Sequence, residues 1–477
     1  MTVDGHRRID ARSLALARAI VEQIVRDSRT DWSFLPLQHL SRLIAGAALA
    51  LALMTVASPA GHAAPAQPEG PMMPTFVDPA TPSEPGFVSA PSGVRYQYIG
   101  TYDLKRLDHI TGPELDEFLS GSPTPASEFK GKFPAARYPV KLYRVKYPSE
   151  VPEQANRPTL ASGLVAIPQT GQSTMPVVSY QHGTVFDRKS VPSFPENSME
   201  TRLVIARFAS QGYVVTAADY FGRGLSTEPD SYLVKRSTEQ ACVDMLFAGR
   251  ALLAAEKVTP GPLFLSGWSQ GGWVTMTVLK HLEGLGMPVT AVATASAPLD
   301  VFATMNRWVN NVQPGDAVYL PSCVAIHLQA QEAYCGQMGL TAFAIRPEYL
   351  QASRDLYNGK IDWTTFRKLT PARCDEYLRP EFRESGNLAD FPYWQTLELS
   401  QAYRWRSHTP VINFYGMADE VVPVSIARLA EEFHKTMGCG PTQSRCAGER
   451  ADHRATFVYA VVEEKPWFDG FLAKGKP

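Results

Sequence analysis

Residues 262–282 read Pro262-Leu263-Phe264-Leu265-Ser266-Gly267-Trp268-Ser269-Gln270-Gly271-Gly272-Trp273-Val274-Thr275-Met276-Thr277-Val278-Leu279-Lys280-His281-Leu282. The first five form a short apolar run that reads as a buried strand, and the residues from Trp273 onward read as a helix. Between them lies Gly267-Trp268-Ser269-Gln270-Gly271-Gly272. Gly-x-Ser-x-Gly between a strand and a helix is the pattern of a nucleophile elbow. A serine held in so tight a turn needs neighbours without Cβ atoms, because the backbone packs too closely for side chains two residues away. The turn exposes the serine oxygen and aims the first N–H groups of the next helix at the place where negative charge develops. Alone, this pattern arises by chance. The preceding strand, the following helix and the extra Gly272 argue against chance here.

Outward from this turn, short apolar runs alternate with helical stretches. Val140–Val145 alternates as an outer strand, with 161–168 as its hairpin partner. Residues 175–180 form a buried strand that leads into Gln181-His182-Gly183-Thr184. Ser198 to Ser210 reads as a helix, and 212–219 as the next strand. Ser237 is placed to cap the helix after it, with Gln240 completing a capping box. Residues 289–295 and 410–416 are further strands. Helices are expected from about Ser425 to Met437 and from near Ala455. Earlier, Thr111 is placed to cap a short helix whose apolar face is Leu115, Phe118 and Leu119. Apolar strands alternating with helices predict a mainly parallel sheet with helices on both faces. The core is expected over 94–299 and 410–477. From 300 to 409 the alternation stops, and the stretch is rich in aromatics, among them Trp308, Trp363 and Trp394. It reads as a helical insertion covering the carboxyl ends of the strands.

The chain of 477 residues is 44% hydrophobic and 19% charged, ordinary for a globular protein. A formal net charge of -1 provides no basic footprint for nucleic acid. No Cys/His spacing of metal type and no phosphate-cradling glycine loop occurs, so neither a metal nor a cofactor is expected. Leu43–Ala57 is apolar throughout, follows Arg42 and precedes the small residues Ser58–Ala64. Residues 1–64 therefore read as a long n-region plus a secretory signal peptide, too short for a membrane span of about 20 residues. Export is expected, to periplasm, cell surface or medium, with no stable span after cleavage. Residues 65–93 hold eight prolines and read as an extended lead-in. The six cysteines, all beyond the cleavage zone, suggest disulfides in an exported chain. Cys439 and Cys446 bracket a short loop and are paired. The other four permit three pairings, of which proximity favours Cys323–Cys335 and leaves Cys242–Cys374.

A serine hydroxyl needs a base within hydrogen-bond reach and a carboxylate that fixes the tautomer of that base. Asp419 follows a strand end in Gly416-Met417-Ala418-Asp419-Glu420-Val421-Val422-Pro423, with Glu420 and Asp452 as alternative acids. His453, in Ala451-Asp452-His453-Arg454, is alone among the histidines in a loop near the C-terminus. His408 and His434 lie by strand or helix bodies, and His281 lies on the helix after the elbow. An unshifted histidine base loses activity below about pH 6.5. The oxyanion donors expected from geometry are the backbone N–H groups of Gln270 and Thr184. Asp219 is expected to tie down its own turn, Asp219-Tyr220-Phe221-Gly222-Arg223-Gly224.

Taken in order, Tyr180–Thr184, Asp219–Gly224, the elbow, Gly416–Pro423 and His453 resemble an α/β-hydrolase. Within that superfamily the chain is similar to exported lipases and esterases of the secretory lipase type, over roughly residues 135–475. The resemblance implies a Ser269–His453–Asp419 triad, acyl transfer through a covalent acyl-enzyme, and an oxyanion loop shaped by His182 and Gly183. In one place the chain departs from the pattern: the strand expected between the acid and the histidine is weak, and the cysteine-bracketed loop stands in its place. The expected activity is hydrolysis of small-molecule or lipid esters. An exported peptidase or amidase would use the same machinery, and a non-catalytic binding protein usually lacks a triad member. Oligomeric state is not written in the motifs.

Overall fold

In a computed structural model of the protein, the described residues are 86–383 and 392–474. Residues 1–64, expected to hold a signal peptide, and most of the lead-in lie outside them. Ten strands form one sheet: β1 (Val88–Ser89), β2 (Arg95–Tyr102), β3 (Val140–Val151), β4 (Arg157–Pro168), β5 (Thr174–Gln181), β6 (Val214–Ala218), β7 (Thr259–Trp268), β8 (Ala291–Ala295), β9 (Val411–Tyr415) and β10 (Thr442–Cys446). Their order is β1-β2-β3-β4-β6-β5-β7-β8-β9-β10. Strands β1 to β4 and the β4–β6 pair are antiparallel, and every pair from β6 to β10 is parallel. The 140–145 run expected on the outside has β2 and β1 beyond it. The β2 segment escapes the hydrophobic pattern because Arg95, Gln97 and Gly100 interrupt its aromatics.

The β7 strand shows why a continuous apolar run was needed. Side chains alternate across a strand: Phe264 joins the core on one face, and Leu263 and Leu265 join the core on the other. The Phe264 face is covered by α1 (Met199–Phe208) and by the last helix, through residues such as Leu203, Phe457 and Phe468. The opposite face is covered by α2 (Lys235–Ala255) and α3 (Gln270–Gly284), through Leu246, Trp273 and Leu279.

Ser198 caps α1, its Oγ accepting the Thr201 N–H at 3.2 Å. Ser237 does not cap α2, which starts two residues before it. Ser237 instead donates through its N–H (3.2 Å) and its hydroxyl to the Glu153 carboxylate, so the helix end is satisfied by a residue distant in sequence. Thr111 is likewise not a cap. Asp103 caps a helix that begins at Leu104 and continues through a wider turn at Ile110–Glu114 into Leu115–Phe118.

Between β8 and β9 the described chain is helical, from Val301–Asn310 through α4 (Leu320–Cys335) to Pro392–Glu398. Buried residues lie all around α4, which marks it as the hub of this region. Most aromatics here are core, with Phe366, Phe382, Tyr393 and Trp394 almost fully buried. Among the described residues no helix is long and apolar enough to cross a membrane.

The cysteine pairings do not form, and all six thiols are free. Cys323 and Cys335 lie on the single helix α4, where twelve residues of rise separate them by about 18 Å. A disulfide needs Cα atoms within about 7 Å. Cys439 and Cys446 are held apart by β10, about 13 Å of extended chain. Cys242 sits on α2 near Tyr147 and Tyr220, whereas Cys374 lies near Cys323. The loop between Cys439 and Cys446 is itself the strand that the sequence pattern lacked. It pairs in parallel with β9 from Thr442↔Val411 to Cys446↔Tyr415. Its polar sequence hid it, because an edge strand has one side without a partner strand and needs fewer apolar residues.

Candidate active site

Ser269 stands between β7 and α3 with φ +56° and ψ −124°, a conformation that non-glycine residues rarely hold. Crowding around it explains the glycines. A Cβ on Gly271 would run into the Gln181 and His182 carbonyls, and one on Gly267 into the Gly271 carbonyl. The turn is pinned by the Ser269 N–H donating to Ala295 O at 2.8 Å and by the Gly272 N–H donating to Ser269 O at 2.9 Å.

Three residues far apart in sequence meet here. The Nε2 of His453 lies 2.8 Å from Ser269 Oγ. Its Nδ1 lies 3.0 and 3.1 Å from the two carboxylate oxygens of Asp419. Asp419 Oδ1 also accepts the N–H groups of Val421 and Val422, each at 2.9 Å. Glu420 accepts the His453 backbone N–H at 3.0 Å, and Asp452 accepts the Ala455 N–H at the start of α5 (His453–Lys474). Of the three candidate acids, only Asp419 faces the imidazole. Two of the other histidines weighed are engaged elsewhere: His434 with Thr442 and Trp405, and His281 with Glu239.

Electrostatics follow from this geometry. Burial works against ionisation of Asp419, but His453, with Ser296 and the Val422 N–H, outweighs it and holds the carboxyl below its usual range. Burial likewise disfavours the charged His453, but Asp419 outweighs it and raises the imidazole above its ordinary value. A histidine acting as base toward Ser269 must be neutral, so an activity that uses it is expected to fall as pH drops through the raised pKa. The acid limb of kcat/KM is therefore expected above pH 6.5 rather than at it. A pH–rate profile measures this, and a limb at or below 6.5 contradicts it.

Thr184 and Gln270 line the same cavity as Ser269 and His453, a space of about 210 Å³. The Thr184 hydroxyl shares a 3.0 Å hydrogen bond with Tyr232 Oη. Behind the loop, the His182 ring stacks on Tyr220 with centroids 4.1 Å apart, and Tyr220 Oη donates to the His182 carbonyl at 2.9 Å. Burial lowers His182 to about 4, which keeps it neutral and structural. Asp219 accepts from Ser162 Oγ at 2.6 Å and from the Ser193 N–H at 2.9 Å, tying its turn to two neighbouring segments.

The helical region contributes Trp308, Tyr319, Cys323 and Trp363 to the cavity wall. Trp308 is fixed by donating to Val421 O at 2.8 Å, and Trp363 stacks on Phe186 at 5.8 Å. Sequence reading missed two participants. Trp268 donates to the His453 carbonyl at 3.1 Å and lays its ring 5.0 Å from the imidazole; its place beside the nucleophile was the available signal. Glu200 buries its carboxyl under the Gln181–Thr184 loop, accepting from the Gly183 N–H (2.8 Å) and Tyr180 Oη (2.6 Å). Nothing local in the sequence points to it.

Comparison with solved structures places this architecture. A Legionella pneumophila protein provisionally described as a hydrolase superposes with a TM-score of 0.70 at 22% identity, covering 82% of this chain and 99% of that one. The rice cell wall degrading esterase LipA from Xanthomonas oryzae gives 0.65 at 20%, covering 83% and 100%. Candida antarctica lipase A in its closed state gives 0.55 at 15%, covering 70% and 78%. No family profile matches the chain, and no curated protein sequence matches it. The fold is that of the α/β-hydrolases.

Proposed function

We propose that the protein is an exported serine hydrolase that cleaves carboxylic esters through an acyl-enzyme. The observation that carries this reading is the continuous path from Ser269 Oγ through His453 to Asp419. Ser269 Oγ attacks the ester carbonyl carbon while His453 Nε2 takes its proton. The tetrahedral oxyanion is held by the N–H groups of Gln270 and Thr184. Collapse breaks the bond to the alcohol oxygen, which takes the proton from His453 and departs. Water then attacks the acyl-Ser269, again giving a proton to His453, and release of the acid returns that proton to Ser269 Oγ.

Preference for esters over amides rests on the described activities of the esterase and lipase neighbours. A panel of esters and aminoacyl amides with matched leaving groups tests it. Esters are expected to turn over faster, and faster amide cleavage would replace this reading with a peptidase or amidase. Export rests on the Leu43–Ala57 run alone, since the free thiols remove the cysteine count as support. The mature N-terminus of protein recovered outside the cytoplasm is expected beyond Ala57.

A further inference from the structure

Glu200 has no step in the reaction just described, yet its carboxyl is buried against the machinery. It is the second residue of α1, where the helix dipole favours an acid. Among the described residues it forms no ion pair with lysine or arginine. Its surroundings come from three directions. Tyr180, at the end of β5, and the Gly183 N–H both donate to its Oε1. Tyr220, from the loop after β6, lies close by, and the His453 imidazole is near enough to act on it. A buried carboxyl without a cation is costly, so these hydrogen bonds must offset its burial.

Gly183 is held from two sides. A Cβ there would sit 3.1 Å from the Trp268 ring and 3.4 Å from Glu200 Oε2, so a larger residue would press on the ring and leave the loop less room between them. With the Gly183 N–H turned back to Glu200, the next residue, Thr184, faces the cavity. We propose that Glu200 is a positioning residue for the reaction: its carboxyl oxygen anchors the Gly183 N–H and so presents the Thr184 N–H to the forming oxyanion. This rests on the ester-hydrolase reading above. Burial lifts the Glu200 carboxyl to about 7, against the pull of its two donors and His453. A carboxyl keeps an accepting oxygen whether or not it is ionised, so the anchor depends on the acceptor and not on the charge.

Two conservative variants of the full-length protein separate acceptor from charge. Glu200→Gln keeps an accepting oxygen at the same reach and loses the charge. Glu200→Asp keeps the charge and withdraws the acceptor by one methylene. The readouts are kcat and KM on an activated ester, and inhibition by a trifluoromethyl ketone, whose hemiketal oxyanion mimics the intermediate. Glu200→Gln is expected within about three-fold of the parent. Glu200→Asp is expected to lose about 10²-fold in kcat, the scale of one oxyanion donor, with KM little changed. Its inhibition constant for the ketone should rise in parallel. The reverse ranking, parental rates in both variants, or lost rate with unchanged ketone inhibition would overturn the proposal. If the parent protein neither cleaves esters nor reacts with a fluorophosphonate, the ester reading itself falls and takes this proposal with it.

Discussion

Ser269→Ala is expected to lower kcat on an activated ester by about 10⁶-fold, the scale seen when a triad nucleophile is removed. The substitution deletes the one oxygen that His453 Nε2 reaches at 2.8 Å and leaves the oxyanion donors in place. Slow residual turnover by those donors is expected to remain. Folding should be unaffected. Serine already carries a Cβ at φ +56°, so alanine adds no new steric demand to the turn. A thermal melt within a few degrees of the parent, together with loss of fluorophosphonate labelling, is the expected pair of results. Residual activity above one hundredth of the parent would remove Ser269 from the nucleophile role.

Asp419→Asn is expected to cost about 10⁴-fold in kcat with little change in fold. The argument is one of tautomers. Asp419 Oδ1 accepts the Val421 and Val422 N–H groups, which hold an asparagine oxygen in that position. The asparagine NH₂ then occupies the other position, 3.1 Å from His453 Nδ1, where it can donate to the ring in competition with the oxygen 3.0 Å away. Whenever it donates, the imidazole proton sits on Nε2, which then cannot accept from Ser269. The missing negative charge also lowers the imidazole pKa, since Asp419 is what outweighs burial there. The residual acid limb should therefore move to lower pH. Loss of activity without that movement would mean that Asp419 acts on something other than His453.

The elbow was legible because its chemistry is local. A buried strand, three glycines and a helix within about twenty residues leave few other structures, and the contacts that demand those glycines come from the β5 end, the following helix and the segment after β8. Asp419 and His453 were legible by chain order and by strand ends. The alternatives Glu420 and Asp452 differ from them by one residue, and only side-chain direction separates the three. Residues that support the site through distant packing left no mark. Glu200 faces Gly183 because α1 folds back over β5, and Glu153 meets the α2 end because β3 and β4 are long. The cysteines misled for the same reason. Nearness in sequence was read as nearness in space, but α4 and β10 are rigid spacers that keep the proposed partners apart.

The sequence by itself determined the alternation of strands and helices from β3 to β9, the strained turn at Ser269 and the residue types able to activate it, but not β1, β2 or β10. These depend on hydrophobic period, glycine sterics and side-chain chemistry, all of which act over short stretches. Only the tertiary structure decided which carboxylate faces His453, which buried acid accepts the Gly183 N–H, and which aromatics wall the cavity. Those choices turn on distances of a few ångströms between segments up to 184 residues apart. Such distances are set by how helices pack on the sheet, and no local pattern encodes them.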